Sequence, residues 1–190
     1  MRDIILASQS EARKNLLRQI GLRFRVISSR VREDRSPKGR CRDLVVRNAL
    51  KKARGVARGR SSGVVIAADT VVRVGRSLIG KPRNMGDAFG TLKALSRKPQ
   101  WVHTGIAVID IDNRKTFTAH EKTKVYMRPL SDRQIMNYFK KVSPLDKAGS
   151  FDIQGPGALF IDRIEGCYYN VVGLPLARLA VLLEKVGITI

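Results

Sequence analysis

The chain is 190 residues long, 43% apolar and 28% charged, enough to bury about 70% of its unfolded surface without staples, which sets aside a disordered tail or a fibrous repeat. Lysine and arginine number 37 against 16 aspartate and glutamate, a formal net charge of +21, and such a field draws polyanions: nucleic acid, an anionic membrane surface or a triphosphate. No apolar run approaches bilayer length and Met1-Arg2-Asp3 leads straight into a strand-like segment, so the expectation is a cytoplasmic protein, without membrane partners, whose Cys41 and Cys167 stay as free thiols.

In chain order, Ile4-Ile5-Leu6-Ala7 predicts a first strand running into Ser8-Gln9-Ser10. A helix follows, with Ser10 as N-cap, Leu16, Leu17 and Ile20 on one side and Gly21 as its stop. Strand, short polar turn and helix start point backbone N–H groups at an anion, and Arg13 in the first turn carries a fork suited to phosphate. The same residues also read as an ordinary capped helix with an exposed arginine. Phe24 to Ile27 predicts a short strand, and the polar stretch from Ser28 to Arg40, with Glu33, Asp34 and Pro37, reads as a loop. From Asp43 a helix carries Val45, Ala49, Ala53 and Val56 on one face, with most of its cations solvated.

Val64-Val65-Ile66-Ala67-Ala68 reads as a strand buried on both faces that ends in Asp69-Thr70. A carboxylate there has lost its water unless something charged answers it. Lys81, returning through a turn at Gly75, is a candidate partner, and the pair points to a site for a metal-bound phosphate. A structural Asp and a solvated Lys are the plainer alternative. Asn84 caps a helix carrying Met85, Ala88, Leu92 and Leu95, and Trp101 to Asp110 with Thr116 to Met127 predict a hairpin turning at Asp112-Asn113. Ser131 and Gln134 form a capping box ahead of the stripe Ile135, Tyr138, Phe139 and Val142. The segment from Pro144 through Gly157 mixes charge, amide and glycine, a composition suited to a loop that brings backbone close to a ligand. Ala158 to Ile164 predicts another strand, and Pro175 begins a last helix with Leu176, Leu179 and Leu183 inside and Gly187 at its end.

Laid out this way, the chain resembles the Maf family of nucleotide pyrophosphatases from Ile4 to about Gly187. The pieces that carry the likeness are Leu6-Ala7-Ser8-Gln9-Ser10 with Arg13, Glu33, Lys52-Ala53, Ala68-Asp69-Thr70-Val71-Val72, Gly80-Lys81-Pro82 and Thr104-Gly105. They continue through Arg128-Pro129-Leu130-Ser131, Asp146-Lys147-Ala148-Gly149, Ile153-Gln154-Gly155 and Tyr168-Tyr169-Asn170 to Gly173-Leu174-Pro175. The resemblance implies one α/β domain over residues 1–190: a mixed, twisted, elongated sheet flanked by helices, in two lobes with a central cleft. It implies hydrolysis of a nucleoside triphosphate to the monophosphate and pyrophosphate with a divalent cation, Mg²⁺ or Mn²⁺, in a family whose members often pair as homodimers. Asp-Lys-Ala-Gly followed by Ile-Gln-Gly is similar to the branch acting on dTTP and UTP.

By the same resemblance Asp69 is the general base and, with Glu33, a metal ligand. Ser8, Arg13, Lys52, Lys81 and Lys147 bind the substrate, and Ala12, Thr70 and Gln154 occupy positions linked to substrate choice. One departure stands out: the family's Ser-x-Ser-Pro-Arg-Arg reads here with Glu11 for the proline and Ala12 for the first arginine. Glu11 near a triphosphate would repel it unless the side chain turns outward. A basic nucleic-acid-binding module is the competing reading, although the basic residues spread along the chain and form no zinc-finger, RNP or KH signature, so no specific nucleic-acid partner is expected. Within the enzyme reading, purine or modified-base triphosphates such as 7-methyl-GTP are the alternative substrates.

Overall fold

A computed structural model describes residues 2–35, 39–145 and 147–190. Asp146, part of one family-like motif, lies outside them. Among the described residues seven strands, β1 (Ile4–Leu6), β2 (Arg25–Val26), β3 (Val64–Val74), β4 (Ser77–Ile79), β5 (Gln100–Asp110), β6 (Lys115–Met127) and β7 (Ile161–Glu165), form one sheet. Its order is β2-β1-β3-β5-β6-β7, with β4 pairing β3 off that path. β1 runs parallel to both β2 and β3, whereas β3 with β4 and β6 with β7 are antiparallel. The sheet is therefore mixed, and with its helices the fold is α/β as the sequence predicts. The helices are α1 (Glu11–Gln19), α2 (Cys41–Ala57), α3 (Met85–Leu95), α4 (Asp132–Phe139), α5 (Tyr168–Val172) and α6 (Leu176–Glu184).

The chain divides into two compact units. The first gathers Met1–Thr70, Thr104–Glu121 and Gly173–Ile190, and the second Val71–His103 and Lys122–Val172. In the first unit Ile5 and Ala7 of the β1 segment, Val65 and Ala67 of β3, and Ala107 and Ile109 of β5 pack with Ala49, Ala53 and Val56 of α2. Val64 through Ala68 are fully buried, which is why that run carries no polar residue until Asp69. Gly105 lets α2 sit directly on β5: a Cβ there would come within 2.4 Å of the Val45 carbonyl carbon. A side chain would lift the helix, and with it Asn48 and Lys52, off the strand.

The second unit has its own core, in which Leu92 and Leu95 of α3 meet Ile135 and Tyr138 of α4 and the aromatic rings of Phe151 and Phe160. The capping box of α4 forms as predicted: Gln134 N–H donates to Ser131 Oγ, and Ser131 N–H donates back to Gln134 Oε1 at 2.9 Å. The strand expected over Ala158 to Ile164 starts later, because Gly155–Phe160 is a 3₁₀ turn and β7 begins at Ile161. Gly157 explains the turn, since a Cβ there would fall 1.8 Å from the Asp152 carbonyl oxygen. Two helix starts also move: α2 begins at Cys41 rather than Asp43, and Pro175 is the N-cap of α6 rather than its first helical residue.

Candidate functional site

The charged centre of the first unit is Lys52. Its Nζ donates to Asp69 Oδ1 at 2.6 Å, reaches Glu33 Oε1 at 2.7 Å and donates to the Ala68 carbonyl at 3.3 Å. An ammonium has three N–H bonds, so all three are directed at acceptors of the protein. Asp69 and Lys52 expose 6% and 10% of their side chains and Glu33 38%, a gradient from a dry pair to a carboxylate open to solvent. Burial pushes the Glu33 carboxyl up, but the Lys52 hydrogen bond and the charges of Lys52, Arg35 and Arg13 outweigh it. Its net shift is downward from the ordinary 4.5.

Asn48 completes this cluster. Its Nδ2 donates to Asp69 Oδ2 at 3.0 Å and to the Asp34 carbonyl at 2.8 Å, while Asp34 N–H donates to its Oδ1 at 3.0 Å. One buried amide thus ties the Glu33-Asp34 loop to the end of the central strand. Asn48 and Lys52 stand four residues apart on the buried face of α2, so the helix presents amide and ammonium to the same carboxylate. The sequence reading passed over Asn48. The available signal was a lone polar residue between Val45 and Ala49 on an apolar stripe, where an unsatisfied amide is costly.

Arg13 anchors a second arm. Ser10 caps α1 by accepting from Arg13 N–H, which sets the side chain at the β1 end. Its Nε donates to the Gly173 carbonyl at 2.9 Å, one terminal nitrogen to Ser8 Oγ at 3.3 Å and the other to Thr70 Oγ1 at 3.0 Å. Thr70 Oγ1 in turn lies 2.9 Å from Thr104 Oγ1. Burial lowers the Arg13 guanidinium below its usual range, and the charges of Asp69 and Glu33 pull against that shift. Glu11 points away from this arrangement: its side chain is 72% exposed and pairs with Lys14 Nζ at 2.6 Å. Ala12 is half-buried beside Arg13.

Of the residues singled out in the sequence, Ser8, Arg13, Glu33, Lys52, Asp69 and Thr70 come together in the first unit. Lys81, Lys147 and Gln154 belong to the second unit. There Gly149 N–H donates to the Gly80 carbonyl at 3.2 Å, stitching the segments of Lys81 and Lys147 to each other. Lys147 Nζ lies 3.9 Å from Asp152 Oδ2, and Gln154 N–H donates to Asp152 Oδ1 at 2.9 Å. Lys81 is exposed, and Lys147 and Gln154 are half-buried.

Two carboxylates within 2.7 Å of one positive charge are a donor set that suits a hard divalent cation. Mg²⁺ is commonly held by one or two carboxylates, with waters and substrate phosphates filling the remaining positions. Among the described residues no group of three or more His, Cys, Asp or Glu forms a closed metal cage.

The model of the Maf-like protein family matches residues 3–186. The chain belongs to the Maf family. A Methanosarcina barkeri protein named dTTP/UTP pyrophosphatase is 44% identical over 191 residues, covering 100% of this chain and 97% of its own. A protein of the same name from Dictyoglomus turgidum is 44% identical over 187 residues, covering 98% and 97%. A third from Pelotomaculum thermopropionicum is 43% identical over 189 residues, covering 98% of each chain. Among solved structures, the Staphylococcus aureus Ham1 protein superposes with a TM-score of 0.44 at 16% identity, covering 66% of this chain and 72% of that one.

Proposed function

We propose that this Maf-family chain hydrolyses nucleoside triphosphates, dTTP and UTP foremost, to the monophosphate and pyrophosphate. Membership of the family and relatives of that name across nearly the full length support the substrate class. The observation that carries the chemistry is the buried Lys52–Asp69 pair with Glu33 beside it. In this reading Asp69 is the general base. Lys52 and Asn48 hold its two oxygens, while a carboxylate offers about four lone-pair sites, so it retains capacity to accept a proton from water. The new P–O bond forms at the α-phosphorus, the α–β bridging bond breaks, and pyrophosphate leaves.

Lys52 holds both carboxylates adjacent, and it contacts phosphate only by exchanging one of its three protein bonds. Arg13 has five N–H donors and commits three of them, leaving two for phosphate oxygens. Ser8 fixes that guanidinium. Glu33 and Asp69 are the residues to hold a divalent cation, which when bound would polarise phosphoryl oxygens and offset charge on the leaving group. For Lys81 and Lys147 as phosphate binders, and for Thr70 and Gln154 as readers of the base, the support is the motif match. Ala12 removes a guanidinium from the position linked to substrate choice, and selectivity between bases is expected to be looser for it.

The test is a panel of canonical and modified triphosphates, incubated with Mg²⁺ or Mn²⁺ and assayed separately for pyrophosphate and orthophosphate. Pyrophosphate with the monophosphate, ranked by kcat/KM with dTTP and UTP first, is the expected result. Orthophosphate with a diphosphate would move the attack to the γ position and overturn the reading.

A further inference from the structure

The first unit carries a second basic concavity that the hydrolytic reading leaves unused. It has a volume of about 450 Å³ and is lined by Arg25, Arg58 and Arg60, by Ile27 and Val56, and by the hydroxyl residues Ser28, Ser61 and Ser62. That volume falls within the range of small-molecule sites. The basin lies at the other end of the strands from Asp69: Asp3 precedes β1 and Ser61-Ser62 precede β3, whereas Ser8 follows β1. Five residues of extended chain separate Asp3 from Ser8, roughly 16 Å at the usual strand rise.

Charge decides what such a basin takes. Residues 23–60 hold 14 of the chain's lysines and arginines against three acidic residues, and the basin is walled by part of that stretch. Its one carboxylate, Asp3, is gripped by Arg25, whose Nε donates to Oδ1 at 2.9 Å and whose terminal nitrogen donates to Oδ2. Arg60 acts on Asp3 through space only, and among the described residues Arg58 has no carboxylate partner. Three guanidiniums less one carboxylate leave a surplus of two. The plain alternative is that Arg58, at the C-cap of α2, complements the negative end of the helix. That end is equivalent to roughly half a charge, so more than one positive charge stays unanswered. Guanidinium forks match phosphate oxygens two at a time, and the serine hydroxyls add neutral donors.

We propose that this basin is a second anion site that binds an oligophosphate, free or carried by a nucleotide, apart from the Lys52–Asp69 centre. The proposal goes beyond the hydrolytic reading and stands without it. The test is isothermal titration of the full chain with sodium tripolyphosphate, in wild type and in R58A/R60A, with ¹⁵N shifts followed at Gly59, Ser61 and Ser62. Loss of two charge-assisted contacts predicts weakening at the basin of about 100-fold or more, with hydrolysis of dTTP unchanged and the chain still folded. Two sites falling to one is the expected count. If the hydrolytic centre binds no phosphate chain, one site falls to none and this proposal survives. Tighter binding of dTDP than of pyrophosphate at the shifted residues assigns the ligand to nucleotides, and equal binding assigns it to free oligophosphate. An isotherm and shifts unaffected by R58A/R60A would overturn the proposal. So would a 20-nucleotide single-stranded RNA that binds far more tightly than tripolyphosphate and depends on Lys51 and Arg54 instead, which would make the surface a nucleic-acid track.

Discussion

The two units hold their candidate-site lysines in opposite ways. In the first, Lys52 is buried, spends every donor on the protein and holds two carboxylates at 2.6 and 2.7 Å. In the second, Lys81 stands exposed and Lys147 keeps 23% of its side chain in solvent, 3.9 Å from Asp152 Oδ2. A dry, fully bonded cation is a fixed part of the scaffold, and removing it leaves the buried Asp69 carboxylate without its cation. A solvated one contributes little to stability and loses side-chain entropy when it is ordered around a ligand. The first unit thus holds a buried ion pair already arranged, while Lys81 and Lys147 of the second keep part of their side chains in solvent.

The sharpest break in that contrast is Asp69→Asn. Loss of the general base predicts a fall in kcat of about 10² to 10⁴, with KM changing far less, measured by pyrophosphate release; activity within tenfold of wild type would remove Asp69 from the role. Next comes stability. Lys52→Met strands Asp69 and Glu33 without their cation and should lower the unfolding free energy by about 3–5 kcal/mol, whereas Lys81→Met should stay within about 0.5 kcal/mol. Denaturant midpoints compare the two, and equal losses would erase the distinction between the units. Asn48→Ala removes the amide that joins Asp69 to the Asp34 carbonyl and should cost about 1–3 kcal/mol, with kcat reduced more than KM.

The smallest effect is a pH dependence. The Glu33 carboxyl is held below 4.5 in the folded chain, so the stability it contributes is fully present above that value and is lost as pH falls through the lower folded one. Carboxyl NMR titration should place Glu33 under 4.5 in wild type and higher in Lys52→Met. A Glu33 midpoint indifferent to Lys52 would contradict the contact.

Much of this was legible in the sequence, for local reasons. Val64 through Ala68 announce a strand buried on both faces because five small or branched apolar residues suit nothing else so well, and the Ser131 and Gln134 box is written in four consecutive residues. Ala158-Leu159-Phe160 misled because apolar residues alone do not separate strand from turn; the close approach of Gly157 to Asp152, set by tertiary packing, decides it. In the candidate site, Asp69 and Lys52 were readable from resemblance, but their pairing was not: seventeen residues separate them, and only the seating of α2 on Gly105 brings them within reach. Asn48 stayed hidden for the same reason, its partner Asp69 lying 21 residues further along.

Running dTTP hydrolysis in ¹⁸O-labelled water tests the central claim most directly, because the label marks the phosphorus that water attacks. An Asp69-assisted attack at the α-phosphorus places ¹⁸O in the thymidine monophosphate, leaves pyrophosphate unlabelled, and loses the signal in Asp69→Asn. Label in pyrophosphate or orthophosphate, or incorporation undiminished by that substitution, would contradict it.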